Sequence, residues 1–215
     1  MTLDQIRESI GRWNALRDQK DADKLNALFA DGNSFYYQRN VLGEEEGGGA
    51  SRSAYIHVYP GVTDNKLMLF IISANRDNEL QDLSSEGILP YITVSPLLEP
   101  SNLGSEIPEQ EALLRIEAWE EDHVTWIENQ VDTKENIFQA FAIPSGDVEL
   151  GRKLKIFFAL KLNAANVATA DLVVYEKSDD GGLTPNRYYD MARPVPPFRP
   201  DGGLQQSDFY LLSIS

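Results

Sequence analysis

The chain contains no cysteine. That absence excludes disulfide scaffolds, thiolate metal centres and cysteine nucleophiles together. Histidine is nearly as scarce, with only His57 and His123 to supply imidazole chemistry. No apolar run approaches the ~18 residues that a membrane-spanning helix requires, so no membrane contact is expected. Gly-x-Ser-x-Gly, Gly-x-x-x-x-Gly-Lys-Ser/Thr, Gly-x-Gly-x-x-Gly and His-Glu-x-x-His are all missing, which removes the common hydrolase, phosphate-cradling, dinucleotide and zinc-protease signatures. No cofactor and no metal is therefore expected. The opening MTLDQIRESIGRW lacks a basic leader and an apolar signal core, so the expected location is the cytoplasm.

Basic residues are also scarce, but unevenly so. Residues 76–150 carry 17 acidic and 3 basic side chains, a net of −14 out of −15 for the whole chain. Such a block repels nucleic-acid phosphates and anionic lipid, and attracts basic proteins through a field that salt screens. Solubility alone is the plainer explanation of an acidic surface.

What is present reads as one α+β domain spanning residues 1–215. Leu3, Ile6, Ile10, Trp13 and Leu16 recur at helical spacing, and Asp21 or Asp23 can cap a second short helix carrying Leu25, Leu28 and Phe29. This N-terminal helical hairpin resembles the first two helices of NTF2-like domains, with Trp13, Ala15-Leu16 and Leu28-Phe29-Ala30-Asp31 at similar spacing. The likeness stops at the hairpin, and no function is assigned from it. Gly43 to Ala50 is glycine-rich and charged, which predicts a loop; the repulsion from Glu44, Glu45 and Glu46 argues against a phosphate cradle at Gly47–Ser53.

In Ala54–Pro60 the alternation predicts a strand with Tyr55, His57 and Tyr59 on one face and Ile56 and Val58 on the other. Leu67–Ile72 is continuously apolar, as in a strand buried on both faces. Residues 74–105 read mostly as connection around a strand-like Tyr91–Val94. A long central helix is predicted from Ser105 or Glu106 to about Val131, with Pro108 in its first turn. After it, Leu154–Leu162, Asp171–Lys177 and Asp208–Ser215 read as strands, with a turn at Ser178–Gly182. Helices early and strands late favour a mainly antiparallel sheet under the hairpin and the long helix. Pro194–Arg199 matches Pro-x-x-Pro-x-Arg, which a proline-stiffened connection also explains.

Two constellations carry candidate chemistry. On a helix drawn at about 100° per residue, Glu120 and His123 fall inside the apolar stripe made by Ile116, Trp119, Trp126 and Ile127. Their Glu-x-x-His spacing puts a carboxylate beside an imidazole. A di-iron bundle needs a second such motif, which the chain lacks; a mononuclear site or a histidine packed at the core edge both remain open. The stripe Tyr55, His57 and Tyr59 could line a small-ligand pocket, or could simply lie under a helix. Two functions follow as expectations. One is a non-enzymatic interaction protein using the acidic surface of residues 76–150 to bind a basic protein partner. The other is a small-ligand binder or metal-assisted enzyme using Tyr55, His57, Tyr59, Glu120 and His123.

Overall fold

The computed structural model of the chain describes residues 1–38, 55–83, 87–98, 109–133, 136–145, 153–163, 165–176, 187–189, 192–195 and 205–215. The glycine-rich segment at 43–50 and the expected turn at 178–182 lie outside these residues. Among them the helices are α1 (Leu3–Gln19), α2 (Ala22–Ala27), α3 (Glu79–Asp82), α4 (Glu109–Gln130) and α5 (Tyr210–Ser213). The strands are β1 (Ser34–Gln38), β2 (Tyr55–Thr63), β3 (Lys66–Ser73), β4 (Thr93–Pro96), β5 (Ala140–Pro144), β6 (Lys153–Leu162), β7 (Ala168–Glu176), β8 (Arg187–Tyr189) and β9 (Arg193–Val195). The fold is α+β, and every strand pairing is antiparallel.

Local chemistry sets the element ends. Thr2 and Gln5 form a capping box at the start of α1, and Asp21 rather than Asp23 caps α2. The β2–β3 hairpin turns at Asp64-Asn65, with φ of 50° and 61°. Two left-handed residues are what a two-residue hairpin of this twist requires, and Asp and Asn tolerate that conformation best after glycine.

The strands build two sheets rather than one, in the orders β1-β6-β7-β8 and β4-β3-β2-β5-β9. Ile56, Val58, Leu69, Ile71, Phe141 and Ile143 of the second sheet face Leu154, Ile156, Phe158, Leu172 and Val174 of the first across a shared core. Opposite alternates point outward, and each outer face has its own cover. Ile6 and Ile10 of α1, with Phe209, Leu211 and Leu212 at the C-terminus, bury Tyr59, Phe70, Ile72 and Ala142. Ala112 and Ile116 of α4 bury Phe157, Ala159 and Val173. Farther along α4, Trp119, Ile127 and Val131 leave that face and join the inter-sheet core. One side of the sandwich is stitched by Leu98 N–H to Ser34 O at 2.7 Å and Tyr36 N–H to Ser95 Oγ at 3.2 Å.

Three sequence expectations change here. The C-terminal segment is not a strand but a short 3-10 turn, Gln206–Asp208, followed by α5. Leu211 and Leu212 are adjacent and both buried, which a strand would place on opposite faces and a helical turn accommodates. The alternation of Lys153, Lys155 and Lys161 with the apolar residues of Leu154–Leu162 predicts one wetter face, yet Lys155 is buried over the Phe157 ring, because the first sheet is covered on both sides. Residues 74–98 hold α3, a 3-10 turn at Leu89–Tyr91 and edge strand β4, so strand structure starts two residues later than Tyr91.

Gly61 marks where α1 crosses β2. A Cβ there would sit 2.5 Å from Phe70 Cε2 and 3.0 Å from the Ser9 backbone. Gly61→Ala is expected to cost about 1–3 kcal/mol through this overpacking, measured as a lower urea midpoint. An unchanged midpoint would mean that α1 is not seated against the strand.

Candidate functional site

The alternation of β2 places His57 and Tyr59 on the outer face of the second sheet, opposite Ile72 and Phe70 in register. Both are buried there. They converge on Asp77, which the chain supplies from the turn after β3, where Asp77 N–H bonds Ser73 O at 3.2 Å. His57 Nδ1 lies 2.7 Å from Asp77 Oδ2, the Tyr59 hydroxyl donates to the same oxygen, and Leu211 N–H donates to Oδ1 at 3.1 Å. The Phe209 ring stacks on His57 at 4.2 Å between centroids. Burial, and then the Asp77 carboxylate, pushes the Tyr59 hydroxyl well above its ordinary value of 10.0. Tyr55 stands apart from this cluster, half-buried with the Arg193 guanidinium over its ring at 6.0 Å.

The sign of the tyrosine shift fixes a pH dependence. A folded value above the unfolded one means that Tyr59 supports folding fully below pH ~10, and that this support is lost as pH rises toward the folded value. Tyr59→Phe is expected to make the alkaline limb of the stability curve shallower, followed by circular dichroism with phenolate absorbance as the titration record. An identical alkaline limb in wild type and variant would contradict the buried placement.

Glu120 and His123 sit on α4, on the other side of the second sheet from His57. His123 is half-buried, stacked on Trp119 at 5.5 Å and edge-on to Phe29 at 6.0 Å. Its Nδ1 lies 2.8 Å from Trp119 O. A carbonyl can only accept, so Nδ1 carries a proton, and whenever the ring is neutral its lone pair is on Nε2. Glu120 lies in the stripe by position, yet its side chain is exposed, and Oε1 accepts from Asn33 Nδ2 at 2.6 Å. The α4 stripe is narrower than its sequence spacing implies. At about 100° per residue Leu113 and Val124 also fall within the stripe, yet they are 37% and 43% exposed.

Of the five residues singled out in the sequence, His57 and Tyr59 are joined under α1 and the C-terminal turn, Tyr55 stands apart at the start of β2, and Glu120 and His123 lie on α4, the first bonded to Asn33 and the second stacked on Trp119. A cleft lined by all of them would need the β2 stripe to meet α4, and these elements are separated by the second sheet. Among the described residues no group of three His, Cys, Asp or Glu side chains is placed to hold a metal ion.

No protein family, no curated protein and no solved structure matches this chain.

What the sequence reading missed is as informative as what it found. Asp77 is the hub of the His57 cluster, yet it sits in the polar run Asn75-Arg-Asp-Asn78, where nothing local marks it as buried. Asn33, buried behind Glu120, is equally silent. The outer side of α4 is exposed and charged. Glu109–Gln130 contains seven acidic residues and a single basic one, Arg115, which is engaged by Glu111 and lies 3.6 Å from Asp171. Glu117, Glu121 and Glu128 are exposed and share one side with Leu114, which is 58% exposed, and Val124. Leu114, Glu117, Glu121, Val124 and Glu128 follow one another at steps of 3 and 4, which makes a continuous seam along the helix. No helix among the described residues is long and apolar enough to cross a membrane.

Proposed function

We propose that the chain is a non-enzymatic, cytoplasmic interaction protein whose α4 seam binds a basic protein partner. The observation that carries this reading is the seam itself, three glutamates alternating with exposed Leu114 and Val124. Acidic side chains steer and select a cationic partner, and the apolar ones supply area that water must leave. The arrangement works against the helix that bears it. Glu117 and Glu121 are like charges at i, i+4, Glu117 and Glu120 at i, i+3, and the last turn holds Glu128 with no basic residue to match the helix dipole. A surface optimised for stability alone would place lysine or arginine there. The concentration of negative charge in residues 76–150 also disfavours nucleic acid and anionic lipid as partners. A chain without cysteine is compatible with a reducing compartment.

The test uses tagged wild type, the triple variant E117Q/E121Q/E128Q and Leu114→Ser as baits at low salt, followed by reconstitution with the purified partner. The partner is expected to be basic. Its affinity should fall roughly tenfold or more in the triple variant, on the order of 1.4 kcal/mol, and should weaken as salt is raised. The triple variant itself should be no less stable than wild type, gaining a few tenths of a kcal/mol, about the size of the like-charge terms removed. A complex that is indifferent to salt, or that holds equally to all three baits, would refute the reading.

A further inference from the structure

We infer that Glu120, Asn33 and His123 form a socket for one arginine side chain of the basic partner. This deepens the seam reading above and rests on it. The first observation is an acceptor with nothing to accept. Asn33 is 4% exposed and its Nδ2 is committed to Glu120 Oε1 at 2.6 Å, while its Oδ1, on the same amide, takes no hydrogen bond. A buried amide oxygen left in that state is costly, and native proteins leave few of them. The second observation is the His123 tautomer. Nδ1–H is given to Trp119 O, so Nε2 is the ring's free position and accepts whenever the ring is neutral. Glu120 adds an exposed carboxylate one helical turn away.

The Asn33 amide oxygen and the Glu120 carboxylate, joined by His123 Nε2 when the ring is neutral, make the site rich in acceptors and define the ligand by complement. It must donate in several directions and carry positive charge. A guanidinium offers five N–H groups in a rigid plane, where an ammonium offers three around one point. The site is also aromatic. The His123 ring lies on Trp119 and against Phe29, and it is only half-buried, so a planar cation can stack on the part left to solvent. Glu120 stands beside Glu117 and Glu121 on α4, which places the socket on the flank of the seam that the partner would cover.

The probe is acetyl-Ala-Arg-Ala-amide, with its citrulline and lysine counterparts, added to the full chain at low salt while the imidazole signals are followed by NMR. His57 serves as the internal control. The arginine peptide should shift His123 saturably and leave His57 in place; the neutral citrulline peptide should do neither. E120Q should weaken binding about fivefold or more, as should Asn33→Ala. If Asn33→Ala does not fold, the exposed E120Q position decides alone. An unsaturable shift, an equal response to the lysine peptide, or full binding by E120Q would overturn the socket. The two readings fail separately. A seam variant that still holds its partner, with the peptide bound at His123, sinks the seam alone; a working seam with His123 unmoved sinks the socket alone.

Discussion

Asp77→Ala is expected to destabilise the protein by about 3–5 kcal/mol, the loss typical of removing one partner from a buried charged network. Three donors then lose their acceptor at once: His57 Nδ1–H, the Tyr59 hydroxyl and Leu211 N–H. These donors come from β2 and from the C-terminal turn, so the carboxylate is the polar tie between the sheet face and the segment that covers it. Phe209 and Leu211 are fully buried on that face, and loosening the tie exposes them. Tyr59→Phe removes the bond to Asp77 and the longer contact with His57 Nδ1 at 3.4 Å and should cost less, about 1 kcal/mol. Urea denaturation of the two variants checks the ranking. A loss below about 1 kcal/mol for Asp77→Ala would mean that the C-terminal turn is held by packing alone.

Trp119→Ala should cost a similar amount, about 3–5 kcal/mol, as for other large aromatic deletions from a core. The ring is 1% exposed and pairs with five others: Phe29 at 5.1 Å, Phe158 at 5.2 Å, His123 at 5.5 Å, Trp126 at 5.8 Å and Phe138 at 6.4 Å. Those rings come from the turn after α2, from β6, from α4 itself and from the residues just before β5, so deletion opens a cavity where these segments meet. Trp119→Phe should recover part of the loss. Near-ultraviolet circular dichroism should also lose intensity, since the stacked rings are held in a fixed asymmetric array. A cost near 1 kcal/mol would show that the surrounding rings collapse into the space, contrary to the tight packing proposed for them.

These two residues also show what the sequence could and could not disclose. Trp119 belongs to a periodic stripe, and a stripe is local, so α4 and its buried side were legible, as were α1 and the facing of β2. Asp77 belongs to no pattern; its role exists only once β3, β2 and the C-terminus are brought together across 134 residues. The division into two sheets was hidden for a related reason. Leu67–Ile72 announces burial on both faces and Leu154–Leu162 one core face and one wetter face, but neither says whether its cover is a helix or another sheet. The short strands β1, β5, β8 and β9 carry too few alternating residues to stand out from turns. Pro194 fits β9, which among the described residues pairs only with β5 and lies at the sheet edge, because an edge position does not need its missing N–H. On α4, position alone put Leu113, Glu120 and Val124 with the core; their exposure follows from how far neighbouring elements reach round the helix.

The claim on which the account turns is that α4 is a binding face. Its most direct test is hydrogen exchange of the chain with and without its reconstituted partner, at low and high salt. The account predicts added protection concentrated in residues 110–130 at low salt and lost at high salt, with the His57 face unchanged. Protection that spares α4, or that persists at high salt on another face, would contradict it.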